Sequence, residues 1–311
     1  MNFIVGSPSL DEFGLASRDR EKSSMVQLVD SDIKTREVLG WKGVHVLHHP
    51  MSSCSQKLRI FLNLKRIQWA SHVVDLFTNQ NFGEWFLGIN PRGLVPVLVH
   101  DGAVHIESND IIVYLEKTSP SPRLIPVGLE NDIAKLLKHE DDLHLDLRTL
   151  SFRFVFAPPG PPKPEQALKS YATGGSGTVQ GKRDRDKAQQ IEFWERIAKD
   201  GITDAAARAS ATKFRAAFAD LDARLAHNPY LLGDELTVLD IAWFIYANRL
   251  SLAAYPIARL HPHVESWFEG LRARPEFAKE IALPPSIEER FDTTRRSHAK
   301  AGTSLETVAG L

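Results

Sequence analysis

Between residues 41 and 118, hydrophobic and polar positions alternate over short distances and predict small elements of two kinds. The run 43–49 is a short alternating segment that predicts a strand, and Pro50 ends it. The run 55–66 instead places five apolar side chains on one broad helical face. The other predicted elements are a strand at 69–76, a short helix at 81–89, a hairpin at 93–108 and a helix at 108–117.

The hairpin and the helix after it carry the clearest local signals. Asp101-Gly102 lies between two apolar runs, and this dipeptide favours the left-handed conformation that a tight two-residue turn requires. Ser108 stands directly before an apolar helical run as a preferred N-cap residue, and the Pro-rich segment 119–126 ends that run. The resulting order β-α-β-α-β-β-α, within about eighty residues, predicts a thioredoxin-like α/β domain.

Beyond Pro126 the pattern predicts helices and no strands. Residues 131–156 are expected to form one long helix, which the segment APPGPPKPE at 157–165 breaks. The stretch 171–186 is predicted to be a loop. Further helices are predicted at 186–200, 203–227, 237–254 and 261–273. The predicted fold class is therefore an α/β thioredoxin-like domain followed by an all-α domain.

These patterns divide the 311 residues into segments. A chain of this length usually forms two domains, and the change of pattern after the Pro-rich segment marks the boundary between them. The predicted segments are a flexible N-terminal arm (1–40), the thioredoxin-like domain (41–122), a linker (123–131), an all-helical domain (132–290) and a C-terminal tail (291–311).

The charge balance and the single cysteine narrow the classes of function. Thirty-eight basic and 39 acidic side chains give a net charge of −1, so no global field would attract nucleic acid or an anionic membrane. One cysteine allows no intrachain disulfide, and no apolar run approaches the roughly 18–20 residues that cross a bilayer. The first residues lack the pattern of a secretory signal, so we expect a cytoplasmic protein. The histidines show no metal-ligand spacing, and no metal is expected.

The stretch SSCS (52–55) joins the first strand to the first helix and contains three hydroxyls and the only thiol of the chain. A helix N-terminus presents unpaired N–H groups and a partial positive charge, so it stabilises an anion such as a thiolate. The thiolate could belong to Cys54 or to a bound cofactor, or the serines could simply cap the helix. The turn alone leaves these interpretations open.

Two further motifs favour a bound peptide. Val95-Pro96 precedes a strand, and a cis bond there would expose the Val95 backbone for pairing with an extended peptide. Glu107 and Ser108 stand at another helix N-terminus, where the hydroxyl and N–H groups suit a carboxylate and the acid suits an ammonium group. A short peptide with an amino-acid-like end, an extended middle and a thiol would satisfy all three sites, and glutathione has that form.

These motifs resemble those of the cytosolic glutathione transferases. Residues 43–126 resemble the N-terminal domain of that family and the helical remainder resembles its C-terminal domain, so the likeness covers about 40–290. NPRGLVPVL and ESNDIIVYLE resemble its glutathione-site motifs, SSCSQKLRIFL is similar to the serine-containing turn of zeta-class members, and LTVLDIAWF resembles its structural capping box. The resemblance implies glutathione as co-substrate, a homodimer, and glutathione contacts from Val95, Pro96, Glu107 and Ser108.

Aligned on the residues KLRI, the catalytic serine of zeta-like members falls on Ser52. Its hydroxyl would donate a hydrogen bond to the glutathione sulfur, and the thiolate would attack a hydrophobic, aromatic electrophile. Ser53 and Cys54 remain alternatives, and a catalytic Cys54 would imply thiol transfer through a mixed disulfide. The residues expected to line the electrophile site are His144, Arg148, Phe152 and Phe156, with core packing as the other interpretation of the aromatic pair.

A weaker likeness bears on the reaction. The length of the helical domain, the insertion 157–186 and the segment HPHVESWFEGLRARPEFAKE resemble bacterial β-etherases of the superfamily, which cleave aryl ethers of lignin fragments with glutathione. β-Aryl ether cleavage is therefore one expected reaction. A function of another class also stays open, because the same fold serves as a non-catalytic binding or assembly module.

Overall fold

A computed structural model describes residues 25–156 and 163–311, and its first domain is built on one four-stranded sheet in the order β2-β1-β3-β4. β1 pairs in parallel with β2, and β3 runs antiparallel to both β1 and β4. The strands are β1 (Val44–His48), β2 (Ala70–Val73), β3 (Val97–His100) and β4 (Ala103–His105). The helices of this domain are α1 (Ser53–Lys65), α2 (Glu84–Leu87) and α3 (Ser108–Thr118). This arrangement confirms the predicted thioredoxin-like fold class.

Both faces of the sheet are buried. Val46 and Leu98 pack under α1 and α3, whereas their neighbours Leu47 and Val99 belong to a second cluster on the opposite face. Because side chains alternate along a strand, successive residues supply the two cores in turn. The sheet therefore holds α1, with its N-terminal turn, between the strands and the helical domain.

Residues 25–40, expected to be part of a flexible arm, form a packed layer on the second face of the sheet. Leu28, Ile33 and Val38 are buried there, and the Leu28 amide donates to the carbonyl oxygen of Val104 at 2.9 Å. Short 3-10 helices span Asp30–Asp32 and Arg36–Gly40. The Ile106 amide likewise donates to the Val26 carbonyl at 3.1 Å, so apolar burial and strand-like hydrogen bonds account for this packing. The rest of the predicted arm, 1–24, lies outside the described residues.

The predicted hairpin turn at Asp101-Gly102 is confirmed. The φ angles of the two residues are 49° and 84°, as a type I′ turn requires. The Asp101 side chain accepts a hydrogen bond from the Gly43 amide at 2.8 Å. A Cβ atom on Gly102 would lie 2.3 Å from the carbonyl oxygen of Leu39, so the turn also needs glycine for space.

The second domain is helical, and the described residues contain no helix long and apolar enough to cross a membrane. Its helices are α4 (Glu130–Asp142), α5 (His144–Phe154), α6 (Glu165–Thr173), α7 (Asp186–Asp200), α8 (Asp204–Leu225), α9 (Val238–Leu252), α10 (Ile257–Leu260), α11 (Pro262–Arg272), α12 (Pro275–Ile281), α13 (Pro285–Ala301) and α14 (Leu305–Ala309). The four helices predicted between 186 and 273 are confirmed to within about two residues at each end.

The single helix predicted at 131–156 is wrong, because Leu143 divides it into α4 and α5. Leu143 adopts φ −90° and ψ 0°, and its amide donates to the Glu140 carbonyl three residues back. This tighter turn redirects the chain between the two helices. Neither glycine nor proline marks the point, so the sequence pattern continues unbroken across it.

The loop predicted at 171–186 contains a small hairpin of β5 (Thr178–Val179) and β6 (Lys182–Arg183), so the prediction of no strands after Pro126 is wrong. Two-residue strands are too short to show alternation in a sequence. The buried Asp32 carboxylate accepts hydrogen bonds from the Thr178 hydroxyl at 2.7 Å and the Gly181 amide at 3.1 Å. The hairpin is thereby tied to the layer formed by residues 25–40.

The core of the helical domain surrounds α9, whose predicted capping box is confirmed. The buried Asp240 carboxylate accepts hydrogen bonds from the Thr237 amide at 2.9 Å, the Leu231 amide at 2.9 Å and the Trp267 indole at 3.1 Å. The segment predicted as a C-terminal tail contains most of α13 and all of α14, and its residues Phe291 and Leu305 are buried in the same core.

A buried ion pair joins the two domains. The ammonium group of Lys57 in α1 lies 3.1 Å from both carboxylate oxygens of Glu140 in α4 and 2.7 Å from Oδ1 of Asn109 in α3. The side chains of Lys57 and Glu140 are 2% and 0% exposed. Because an unpaired buried charge is costly, either partner alone would be strongly unfavourable.

Replacing Lys57 by Met is expected to lower the free energy of unfolding by about 3–5 kcal/mol, because the Glu140 carboxylate would be left buried without a cation. Urea denaturation followed by tryptophan fluorescence measures the change. The double variant Lys57→Met/Glu140→Leu should recover most of the loss.

The exposed pair Lys138–Asp142 on α4 supplies a matched control. Lys138→Met should change the free energy of unfolding by less than about 1 kcal/mol, because exposed ion pairs contribute little. Equal losses in Lys57→Met and Lys138→Met would show that the buried pair does not hold the domains together.

Candidate functional site

The N-terminus of α1 is capped by Ser52, which precedes the first helical residue, Ser53. The Ser52 hydroxyl oxygen accepts a hydrogen bond from the Ser55 amide at 3.3 Å, and the Ser52 carbonyl accepts one from the Gln56 amide at 2.8 Å. A serine hydroxyl carries one proton and two lone pairs. The capping bond uses a lone pair, so the proton remains available for an anion at this helix end.

Cys54 points towards the helical domain. Its sulfur lies 3.9 Å from both ring nitrogens of His144 in α5. Burial raises the pKa of the Cys54 thiol to about 11, and the nearby Lys57 ammonium offsets this only in part. The thiol is therefore almost entirely protonated at neutral pH.

His144 does not supply a positive charge to this thiol. Burial, followed by the neighbouring Arg148 guanidinium, lowers the pKa of His144 to about 4. Its Nδ1 atom lies 3.2 Å from the Tyr246 hydroxyl, which fixes the ring orientation. At neutral pH, Cys54 and His144 are thus a neutral pair and not a thiolate–imidazolium pair.

Val95, Pro96, Glu107 and Ser108 lie at the ends of β3 and α3. The Val95–Pro96 peptide bond is cis and stands directly before β3. Glu107 has φ 65° and ψ 114°, a conformation that costs a non-glycine residue about 1–3 kcal/mol and is typical of functional sites.

The prediction that Ser108 caps α3 is wrong, because Ser108 is already its first helical residue and Glu107 occupies the N-cap position. The Ser108 hydroxyl therefore makes no capping hydrogen bond to α3. The Ser108 hydroxyl is among the groups that lower the pKa of the Cys54 thiol, although burial outweighs it, so the start of α3 lies near the start of α1. Two predicted sites, the SSCS turn and the acid–serine pair, therefore adjoin.

Arg92 is a site residue that the sequence reasoning missed. Its guanidinium group lies 2.6 Å from the Glu107 carboxylate, 2.9 Å from Asp184 and 2.8 Å from Asp186. The Tyr171 hydroxyl also donates to the Arg92 carbonyl oxygen at 2.6 Å. Residues of the insertion 157–186 therefore fix the position of the Arg92 side chain, and Arg92 in turn fixes the Glu107 carboxylate. Arg92 stands inside the quoted motif NPRGLVPVL, but its acidic partners are remote in sequence.

The residues predicted to line the electrophile site follow each other at four-residue intervals, from His144 to Phe156. The Phe152 ring lies 5.6 Å from the Phe156 ring and 5.0 Å from the Trp194 ring of α7. The Arg148 guanidinium lies 4.9 Å from the Trp194 ring. His144, Arg148 and Phe152 lie on α5, with His144 beside the start of α1, and Phe156 follows the end of α5. Phe152 and Phe156 are partly buried and also pack against two core clusters, as the core-packing interpretation predicts.

Trp194 and Arg249 adjoin these residues and were not predicted. Arg249 of α9 lies 4.9 Å over the Phe156 ring, and it donates a hydrogen bond to the carbonyl oxygen of Met51, directly before Ser52, at 2.8 Å. The site can therefore hold an anion at the α1 terminus beside an apolar, aromatic surface. Among residues 25–156 and 163–311, no group of three or more His, Cys, Asp or Glu side chains could hold a metal ion.

Comparisons with known proteins agree with this division of the site between two domains. A family model of the glutathione S-transferase N-terminal domain matches residues 51–118, and a model of the glutathione S-transferase C-terminal domain matches residues 204–270. Glutathione S-transferase 3 of Zea mays is 29% identical over 247 residues, which cover 76% of this chain and 93% of the maize protein. Glutathione S-transferase 1 of Dianthus caryophyllus is 42% identical over 80 residues, 26% of this chain, and the match spans 36% of that relative.

The fold is shared with solved structures. The β-etherase LigF from Sphingobium sp. strain SYK-6 superimposes with a TM-score of 0.65 at 22% identity, over 76% of this chain and 98% of that chain. Identity at this level shows a common fold and nothing further. The chain therefore matches the N-terminal and the C-terminal domain of the glutathione S-transferases in their chain order, and it has the two-domain fold of the solved structure.

Proposed function

We propose that the protein is a glutathione transferase that activates the glutathione thiol at Ser52. The observation that carries this proposal is the free hydroxyl proton of Ser52 at the N-terminus of α1, in a chain that matches both glutathione S-transferase domains. The helix terminus favours a negative charge, and the hydroxyl adds a charge-assisted hydrogen bond. Both lower the pKa of a bound thiol, so that the sulfur is nucleophilic near neutral pH.

The rest of glutathione is assigned to the adjoining elements. The Val95 backbone, before the cis bond to Pro96, pairs with the extended middle of the peptide. Glu107 and Ser108 bind the amino-acid-like end, with the carboxylate at the α3 terminus and the ammonium group towards Glu107. Arg92 keeps Glu107 in its left-handed conformation, which supports this assignment.

The electrophile is placed on the aromatic side of α5, against His144, Arg148, Phe152 and Phe156. The glutathione thiolate attacks an electrophilic carbon, a carbon–sulfur bond forms, and the bond to the leaving group breaks. β-Aryl ether cleavage is one such reaction, with a phenolate as leaving group, and the β-etherase named above shares the fold. We further propose a cytoplasmic homodimer whose small-molecule partners are glutathione and a hydrophobic substrate.

Two alternatives receive less support. A thiol transferase using Cys54 needs a reactive thiolate, whereas burial raises the pKa of this thiol to about 11. A non-catalytic binding module would use the Ser52 hydroxyl only as the cap of α1 and would leave the thiol pKa of bound glutathione unchanged. Ser53 lies inside the helix, where it does not cap. Ser52 is therefore preferred over Ser53 and Cys54.

Ser52→Ala is expected to raise the apparent pKa of bound glutathione by about one to two units, because the thiolate loses a charge-assisted hydrogen bond. The ultraviolet absorbance of the bound thiolate against pH measures this change. The kcat/KM for an aryl halide should fall roughly 10–100-fold at neutral pH for the same reason.

Ser53→Ala is the matched control, since it removes the neighbouring hydroxyl and leaves the cap intact. It should leave the thiolate titration unchanged. The proposal fails if the wild-type protein binds glutathione without lowering its pKa, or if Ser53→Ala and Ser52→Ala have equal effects.

Cys54 alkylation by iodoacetamide at pH 7.5 is expected to be roughly 100-fold slower than that of free cysteine, because little thiolate is present. Since the folded pKa is raised to about 11, the rate should keep rising with pH beyond pH 9. Mass spectrometry follows the reaction at this single cysteine, and urea-unfolded protein is the control. A rate that levels off near pH 8 would favour the Cys54 thiol transferase.

A further inference from the structure

The buried cations of this protein fall into two groups. The first group has carboxylate partners, which offset the cost of burying a charge. The distances are 2.7 Å from Lys65 to Glu116, 2.5 Å from Arg59 to Glu280 and 2.9 Å from Arg92 to Asp184. The second group has no carboxylate partner among residues 25–156 and 163–311 and comprises Lys163, Lys187, Arg148 and Arg249. The two arginines adjoin the aromatic residues next to α5.

Arg249 is 4% exposed, and only some of its N–H donors have a hydrogen-bond acceptor among the described residues. Its Nη2 atom donates to the Met51 carbonyl at 2.8 Å and faces the Gln56 side-chain oxygen at 3.4 Å. An arginine carries five N–H donors. Within the described part of the chain, all of its hydrogen-bond acceptors are thus neutral, and one edge of the guanidinium group makes no protein contact of this kind.

Arg148, on α5, likewise has a neutral hydrogen-bond acceptor and no carboxylate partner among the described residues. It is half-buried, and its Nη1 atom donates to the side-chain oxygen of Gln190, a neutral acceptor. The guanidinium group lies 4.2 Å from the Phe193 ring and 4.9 Å from the Trp194 ring. The Lys163 ammonium lies 5.4 Å from the same Trp194 ring, so a further cation adds to the positive potential here.

Both arginines remain charged under ordinary conditions. Burial lowers the pKa of each guanidinium group to about 10, which still leaves it protonated at neutral pH. The Phe152 ring contacts Trp194, which Arg148 also contacts, and the Phe156 ring contacts Phe152 and Arg249. Phe152, Phe156 and Trp194 thus form an aromatic strip that both guanidinium groups adjoin.

We propose that the electrophile is an aromatic compound with a carboxylate group, which Arg148 and Arg249 bind while the ring lies on Phe152 and Phe156. This inference rests on the proposed transferase function and names its substrate class. Guanidinium groups bind carboxylates through paired hydrogen bonds, which would occupy the unused donors. The chemical step is unchanged, because the carboxylate takes no part in the bonds that form and break.

Glutathione also carries carboxylates, but its assigned contacts are in the first domain. Arg148 and Arg249 belong to α5 and α9 of the helical domain and adjoin the aromatic strip. The test therefore measures binding of an aromatic carboxylate and binding of a glutathione analogue separately.

The experiment compares 3-nitrobenzoate with 3-nitrobenzamide, which differ in charge but little in shape. Calorimetric titration gives the Kd of each probe for the protein alone and for the protein saturated with S-methylglutathione. The wild type is expected to bind the benzoate at least tenfold more tightly. Arg148→Gln and Arg249→Gln should each weaken benzoate binding about tenfold and leave benzamide binding unchanged.

Arg153→Gln is the matched control, because Arg153 lies on α5 but pairs with Asp204 away from the strip. It should leave the Kd of both probes unchanged. Arg148→Lys, which keeps the charge, should retain part of the preference if Arg148→Gln does not fold.

Equal affinities of the wild type for the two probes would overturn the inference. It is also overturned if the Gln variants lose affinity for S-methylglutathione while keeping the benzoate preference, because the arginines would then serve glutathione. Binding of these probes needs no thiolate. A failed thiolate titration with an intact benzoate preference therefore counts against the proposed function alone, and the reverse result counts against this inference alone.

Discussion

The Lys57–Glu140 ion pair sets the geometry on which the site depends. An ammonium group this deeply buried is stable only while Glu140 and Asn109 surround it, and these three residues come from α1, α4 and α3. The pair therefore fixes α1 against the helical domain at Lys57, which lies about one helical turn after Cys54. Because α5 follows directly after α4, the same contact determines how far the Ser52 end of α1 lies from the aromatic strip.

The insertion 157–186 supports the opposite end of the proposed glutathione site. Arg92 is held by Asp184, and the Asp32 carboxylate joins the β5–β6 hairpin to the layer on the sheet. Burial of Arg92 is tolerated because carboxylates pair with it, and burial of Asp32 is tolerated because its carboxylate accepts several hydrogen bonds. Its ion pair with Arg92 thereby keeps Glu107 in a backbone conformation with positive φ, which is unfavourable for a residue with a side chain. Such conformations are typical of residues that bind ligands. The segment 171–186, which the sequence predicted as a loop, thus helps to fix residues of the candidate site.

Features that depend on neighbouring residues could be predicted from the sequence. The Asp101-Gly102 turn and the capping box at Thr237 are each defined within four residues, and both are confirmed. The division at Leu143 and the partners of Arg92 could not be predicted, because they arise from contacts between segments far apart in the chain. The position of Arg249 beside the SSCS turn is of the same kind, since about 200 residues separate them.

The electrostatics of the cleft connect these observations. Cys54 and His144 are neutral near pH 7, since burial disfavours the charged form of each. The Lys57 charge is cancelled by Glu140, whereas Arg148 and Arg249 are not compensated by any described acidic residue. A carboxylate on a ligand would pair with these guanidinium groups, and a thiolate at Ser52 would occupy the N-terminus of α1.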